Sequence, residues 1–313
     1  MFSESKKQRH ADRQGRTSRK TDSVTRIPFL KRQAALYLPE TGRQADTENT
    51  EICLKNRNAV IVLGGSDRFT TVPEVCGRLF AEQGIPALGM RYWGMPGLPM
   101  RLRMVPVEPV GAAADWLLEH GADKVFLYGF STGAELALLA ASRMPQIGGV
   151  VAVSPSAVVW GSDDESEFSL RGKNLPHLSQ KWAGAALRDS LRHLQPEGRT
   201  IYQNPIEEGF IDEIAIPVEN IRGSILFLYP ENDPVWPSRE ASMYMENRLR
   251  GASFPHPVRS FGYEHASHLL APCFSPHRFL YREERNFPEE CDRSRRDAFR
   301  KAAAWIRGDG QQK

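Results

Sequence analysis

The chain has 313 residues, 41% hydrophobic and 25% charged, with a mean hydropathy of −0.45, which excludes a membrane protein, a collagen-like fibre and a wholly disordered chain. That length accommodates one large α/β domain or two of ordinary size. Net charge is +3, but residues 1–33 carry ten Lys and Arg against three Asp and Glu, so the basic excess belongs to the leader and the remainder is net acidic.

The leader, residues 1–33, has almost no apolar side chain before Ile27. It cannot bury enough surface to offset the entropy of ordering, and it is expected to be a basic disordered tail. It lacks the apolar stretch of a secretory signal, and Glu4, Asp12 and Asp22 argue against a transit peptide. Without interleaved aromatics it reads as a solvated leader, and no nucleic-acid partner is expected. The four cysteines, Cys53, Cys76, Cys273 and Cys291, lie far apart with no CxxC pair. They suggest neither a zinc site nor a disulfide framework, and a cytoplasmic location is expected. No stretch approaches the ~18 apolar residues of a membrane span.

From residue 34 onward, short apolar runs alternate with helical stretches, the pattern of a mostly parallel sheet with helices on both faces. Ala34–Leu38 reads as an edge strand and Asn58–Leu63 as a central strand feeding the turn Gly64-Gly65. A helix is expected over 73–83, stopped by Gly84, followed by a strand over 85–91 and a Gly/Pro-rich loop from Arg91 to Pro106. Helical spacing returns over 110–120. Then come a buried strand over 124–128, a helix over 134–143 and a strand over 149–153. Two more strands are expected at 224–229 and 258–261, and a last helix carries Phe299, Ala302, Ala303 and Ile306 up to Gly308. The irregular stretch 154–222 reads as a lid inserted over the strand ends, leaving a single domain over 34–310.

Gly129-Phe130-Ser131-Thr132-Gly133 is a G-x-S-x-G sequence lying directly between a strand and a helix. Such a turn exposes a serine at its apex, and the helix N-terminus behind it offers N–H groups to an oxyanion, with Thr132 N–H the expected donor. A serine needs a histidine to take its proton and an acid to orient that histidine, in the chain order Ser, Asp or Glu, His. Asp233, in the turn after the strand at 224–229, is favoured as the acid over Glu231. His268 and His265 share the next loop, and spacing alone does not separate them. The second oxyanion donor is expected from the loop Gly64-Gly65-Ser66, at the N–H of Gly65 or Ser66. That loop does not match a phosphate-binding G-x-G-x-x-G sequence, and no cofactor or metal is expected.

LGGSDRF, RYWGMPGLP, GFSTGAELALLAAS, IPVENIRGSILFLYPENDPVWPS and FGYEHASHLLAP follow one another in this order. Together, over about residues 58–310, they resemble the C-terminal α/β-hydrolase domain shared by acyl-CoA thioesterases and bile acid-CoA:amino acid N-acyltransferase, especially its bacterial members. The resemblance implies an α/β-hydrolase fold with Ser131, Asp233 and His268 as nucleophile, acid and base. It separates the two histidines, since the family histidine precedes an apolar-Pro stretch as His268 precedes LLAP. Conjugating members of the family use cysteine as nucleophile, so Ser131 implies water as the acceptor. Bacterial members often read GxSKG, whereas Thr132 stands here. Full-length members carry an immunoglobulin-like β-domain first, while only a tail and one hairpin are expected before Asn58. The expected function is a serine hydrolase of a small-molecule acyl thioester, with Arg91, Trp93, Arg101 and Arg103 as candidate substrate contacts. A carboxylesterase or peptidase with the same triad, and a non-catalytic binding module, are the alternatives.

Overall fold

The computed structural model describes residues 24–29, 33–39, 52, 54–55, 57–162, 164–179, 183–199, 211–273, 275 and 277–308. The strands of its main sheet obey a period of two with little exception. Ala59, Ile61 and Leu63 enter one core and Val60 and Val62 the other, and Val125 and Leu127 separate in the same way from Phe126, Tyr128 and Phe130. Such continuous apolar runs, buried on both faces, are what a helix-covered parallel sheet requires.

The sheet has eight strands: β1 (Thr25–Phe29), β2 (Ala34–Leu38), β3 (Asn58–Leu63), β4 (Ala87–Met90), β5 (Lys124–Phe130), β6 (Ile147–Val153), β7 (Ser224–Pro230) and β8 (Val258–Tyr263). Their spatial order is β1-β2-β4-β3-β5-β6-β7-β8. The pairs β1–β2 and β2–β4 are antiparallel, and all the others are parallel. Chain order reverses between β3 and β5, which opens a crevice beyond their carboxyl ends.

Helix α1 (Val72–Glu82) and the terminal helix α6 (Pro288–Arg307) cover one face; α2 (Glu108–Glu119), α3 (Thr132–Arg143) and α5 (Ser238–Gly251) cover the other. Prolines occupy the first turns of α1, α2 and α6, where a missing N–H costs nothing. For α2 this moves the start to Glu108, ahead of the expected residue 110. Gly308 closes α6 in the left-handed region, with φ 96°. This helix is longer than its apolar spacing indicates, because its first half is largely charged.

Two other differences stand out. Thr25–Phe29, expected to lie within the disordered leader, is an edge strand paired with β2. Thr25, Ile27 and Phe29 favour extended backbone, and Pro28, lacking an N–H, is tolerated at a sheet edge. Residues 1–23 lie outside the described ones. In the loop that follows β4, Val105–Pro106 pairs in parallel with Phe168–Ser169. The stretch between β6 and β7 therefore has some order of its own, including helix α4 (Ala183–His193) and the short strands Trp160–Gly161 and Phe168–Leu170.

Candidate active site

Ser131 joins β5 to α3 with φ 56° and ψ −126°, a backbone conformation that L-residues rarely adopt. The flanking glycines make this turn possible. A Cβ on Gly129 would lie 2.2 Å from Gly133 O, and one on Gly133 would lie 2.3 Å from Gly64 O. The strand, the elbow and the start of α3 are thus in direct backbone contact. Thr132 is the first helical residue, and its N–H belongs to the first turn of donors, which have no partner within the helix.

His268 Nε2 lies 2.8 Å from Ser131 Oγ, and His268 Nδ1 lies 2.9 Å and 3.1 Å from the two carboxylate oxygens of Asp233. All three side chains are buried, with residue exposures of 5% for Ser131, 5% for His268 and 1% for Asp233. They come from the carboxyl ends of β5, β7 and β8, so strand order rather than sequence spacing assembles them. The competitors are engaged elsewhere: Glu231 pairs with Arg239 at 2.9 Å, and His265 pairs with Glu283 at 2.8 Å and packs at a tilt against Phe287. The neighbouring Glu283 also raises the His265 pKa.

Each member is held by neighbours that the sequence patterns did not single out. Asp233 accepts hydrogen bonds from Val235 N–H at 3.0 Å and from the Ser238 hydroxyl. Ser154, at the end of β6 with φ 48°, donates its hydroxyl to His268 O at 2.9 Å and accepts the Trp236 indole N–H at 2.9 Å. Trp236 meets the His268 ring edge-on with centroids 5.4 Å apart, and stacks on Trp160 at 5.8 Å. The histidine loop is clamped from beneath. The Ser267 hydroxyl donates to Glu284 at 2.6 Å, Arg295 grips Glu284 with contacts of 2.7 Å and 2.8 Å, and the same guanidinium donates to Leu269 O. No local motif flags Ser154, Trp236, Ser267 or Arg295, because their partners lie between 11 and 114 positions away in the chain.

A second group of acids lies behind the elbow. Glu135 on α3 is fully buried; its Oε1 accepts Trp160 N–H at 3.2 Å, while its Oε2 and that of Glu167 have no hydrogen-bond partner among the described residues. Burial holds the Glu135 carboxyl well above the usual carboxylate range, with Glu167 acting in the same direction. Burial pushes Glu167 up to about 7.

The loop after β3 adjoins Ser131, since a Cβ on Gly65 would lie 3.1 Å from Ser131 Cβ. Of the candidate substrate contacts, Arg91 is not free for an anionic group. Its guanidinium donates to Glu74 at 2.9 Å, to Arg68 O at 3.1 Å and to Thr70 O at 2.8 Å. Arg103 pairs with Glu165, Arg101 is exposed, and the Trp93 indole N–H approaches Gly65 O at 3.4 Å.

The arrangement is capable of acyl transfer: a hydroxyl aligned with a base, an acid behind that base, and the start of a helix and the loop after β3 next to the hydroxyl. Among solved structures, the chain is similar to a Mycobacterium tuberculosis puromycin-hydrolyzing peptidase (18% identity, TM-score 0.54, covering 92% of this chain and 39% of that one). It is also similar to a protein described as a dienelactone hydrolase from Klebsiella pneumoniae (18% identity, TM-score 0.52, covering 91% and 97%). These similarities, with the sheet order above, establish the α/β-hydrolase fold. In sequence it is 26% identical over 205 residues to mouse acyl-coenzyme A amino acid N-acyltransferase 1, covering 63% of this chain and 45% of that protein. It is 22% identical over 204 residues to mouse peroxisomal succinyl-coenzyme A thioesterase, covering 63% and 46%. The chain spans about half the length of the curated relatives it matches. The family described as BAAT / Acyl-CoA thioester hydrolase C terminal matches residues 105–286, more than half of the sequence and a span that includes Ser131, Asp233 and His268, and the chain belongs to that family.

Proposed function

We propose that this protein is a serine hydrolase that cleaves acyl thioesters, acyl-CoA by preference, through an acyl-Ser131 intermediate. The observation that carries the reading is the buried line from Ser131 through His268 to Asp233, with 2.8 Å and 2.9 Å contacts at a strained elbow. Membership of a family whose description names acyl-CoA thioester hydrolysis supports the substrate class.

In the acylation step Ser131 Oγ attacks the thioester carbonyl while its proton passes to His268 Nε2. Asp233 accepts the hydrogen bond from Nδ1–H, holding the tautomer that leaves Nε2 free to act as base and stabilising the imidazolium. The negative charge developing on the carbonyl oxygen is met by the N–H of Thr132 and by that of Gly65 or Ser66. Collapse expels the thiolate, which takes the proton from His268. A water molecule, deprotonated by the same nitrogen, then hydrolyses the acyl-serine and releases the carboxylic acid. Residues 154–222 act in this reading as an inserted lid and pocket wall, with the Trp160–Trp236 stack beside His268 as its apolar lining.

Two measurements test the reading. A fluorophosphonate probe should label the folded protein at Ser131, and labelling should vanish in Ser131→Ala. Hydrolysis of palmitoyl-CoA should exceed that of p-nitrophenyl esters and peptidyl amides in kcat/KM. Labelling without a preference for the thioester would instead mark an esterase or peptidase. Folded protein that is neither labelled nor active would mark a binding module.

A further inference from the structure

The loop carrying the second expected oxyanion donor is gripped from outside through its carbonyl groups. β3 and β4 run side by side in parallel register, with Leu63 opposite Met90, so the chain segments that leave them at the carboxyl edge emerge together. Three consecutive residues after β4 then take four carbonyls of the 64–70 loop. Arg91 donates to Arg68 O and Thr70 O, the Tyr92 hydroxyl donates to Gly64 O at 2.7 Å, and the Trp93 indole N–H approaches Gly65 O at 3.4 Å. Glu74, at the start of α1, anchors the splint by accepting from Arg91.

A trans peptide points its C=O and the following N–H in opposite directions. Fixing Gly64 O therefore fixes the direction of Gly65 N–H, and fixing Gly65 O fixes that of Ser66 N–H. Gly64 O is confined from a second side as well, since a Cβ added at Gly133 of α3 would lie 2.3 Å from it. The peptide between Gly64 and Gly65 is thus wedged between Tyr92 and the helix that follows the nucleophile, close beside Ser131. Tyr92 itself is buried, with 5% exposure. Burial, with Glu167 and Glu135 nearby, raises its pKa well above the usual phenol value, so it remains a neutral donor.

The geometry points to Tyr92, seconded by Trp93, as a positioning residue that aims the Gly65 and Ser66 N–H groups at the oxyanion of the reaction proposed above. The inference rests on that reading and names the part of this chain that sets one of its donors. It also changes the sense of RYW, whose Arg91 and Trp93 first suggest substrate contacts: the segment acts on the loop rather than on the substrate. An oxyanion hole works because its donors are oriented before charge develops, so a donor left free to rotate loses most of its value in the transition state and little in the ground state.

The test uses the full chain and Tyr92→Phe, which removes one oxygen and preserves the ring. The expected result is a fall in kcat of about 10- to 100-fold, below the ~10²–10³-fold cost of deleting an oxyanion donor outright, with KM nearly unchanged. Affinity for an acyl trifluoromethyl ketone, which forms an oxyanion on Ser131, should fall in parallel with kcat. Affinity for a non-hydrolysable acyl-CoA thioether should not change, which a merely structural defect would not reproduce. Trp93→Phe, removing the longer contact, should show the same pattern at smaller amplitude and serves as the readout if Tyr92→Phe does not fold. Wild-type kcat in the folded variants, or equal losses toward the ketone and the thioether, would overturn the positioning role while leaving the triad reading intact. A wild-type protein that neither hydrolyses thioesters nor labels at Ser131 would overturn the reading and the inference together.

Discussion

Two groups of acids lie near the elbow at Ser131, one of them including Glu135 of α3 itself, and they are treated very differently. On the β7–β8 side, Asp233 is met by His268, Val235 N–H and Ser238, and Glu284 by Arg295 and Ser267. On the other side, Glu135 and Glu167 each leave one carboxylate oxygen without a hydrogen bond among the described residues. Glu135 is as deeply buried as Asp233 and Glu284, so burial alone does not give a carboxyl the partners that Asp233 has. A carboxylate that must remain ionised needs donors and cations around it, and one deprived of them holds its proton instead.

The sharpest way to break this contrast is to make the same chemical change on both sides. Asp233→Asn should lower kcat/KM by about 10⁴-fold, because an amide does not hold the required histidine tautomer. Glu135→Gln should leave kcat/KM little changed, since the Glu135 side chain bonds Trp160 N–H and no side chain of the triad, and its backbone bond to Ser131 O survives the change. Comparable losses in the two variants, measured with one thioester substrate, would end the distinction.

The next effect is on stability. Arg295→Met leaves Glu284 buried with its main partner removed and should destabilise the protein by roughly 3–5 kcal/mol, read from urea or thermal unfolding. Near-wild-type stability there would mean that the clamp under the histidine loop contributes little. Ser238→Ala removes one of the donors to Asp233, whose Oδ2 keeps its contact with His268 Nδ1, and should cost about 0.5–1.5 kcal/mol, with a modest fall in kcat.

The smallest effect is a slope. The Glu167 carboxyl is raised from its ordinary 4.5 to about 7, so the folded state holds this proton more tightly than the unfolded chain does. Stability from this group is complete below pH 4.5 and is lost as pH rises through 7. The melting temperature should fall between pH 5 and pH 8.5, and Glu167→Gln should flatten that fall by a few degrees. An unchanged slope would show that Glu167 does not titrate in this range.

Much of the architecture was legible in local patterns. NAVIVL, KVFLY and SILFLY announced central strands because both of their faces are apolar, and GFSTG between a strand and a helix announced the elbow. Ser131 and Asp233 could be named because each follows a readable strand, whereas His268 was separated from His265 only by the resemblance to the family. The leader misled at Thr25–Phe29, where pairing with β2 outweighed a polar, charged neighbourhood. Arg91 misled because an arginine in a Gly/Pro-rich loop looks like an anion ligand until its backbone partners are seen.

The sequence by itself therefore determined the alternation of strands and helices, the elbow and the chain order of its three chemical groups, since these depend on short-range periodicity and on glycines at fixed offsets. Position after a strand already favoured Asp233 over Glu231, and the family resemblance His268 over His265; only the tertiary structure decided that these side chains meet Ser131 in one buried line and that RYW braces the loop after β3. Those choices depend on which strand ends become neighbours. Neighbourhood across a sheet brings together residues 35 and 137 positions apart, a proximity that no local pattern encodes.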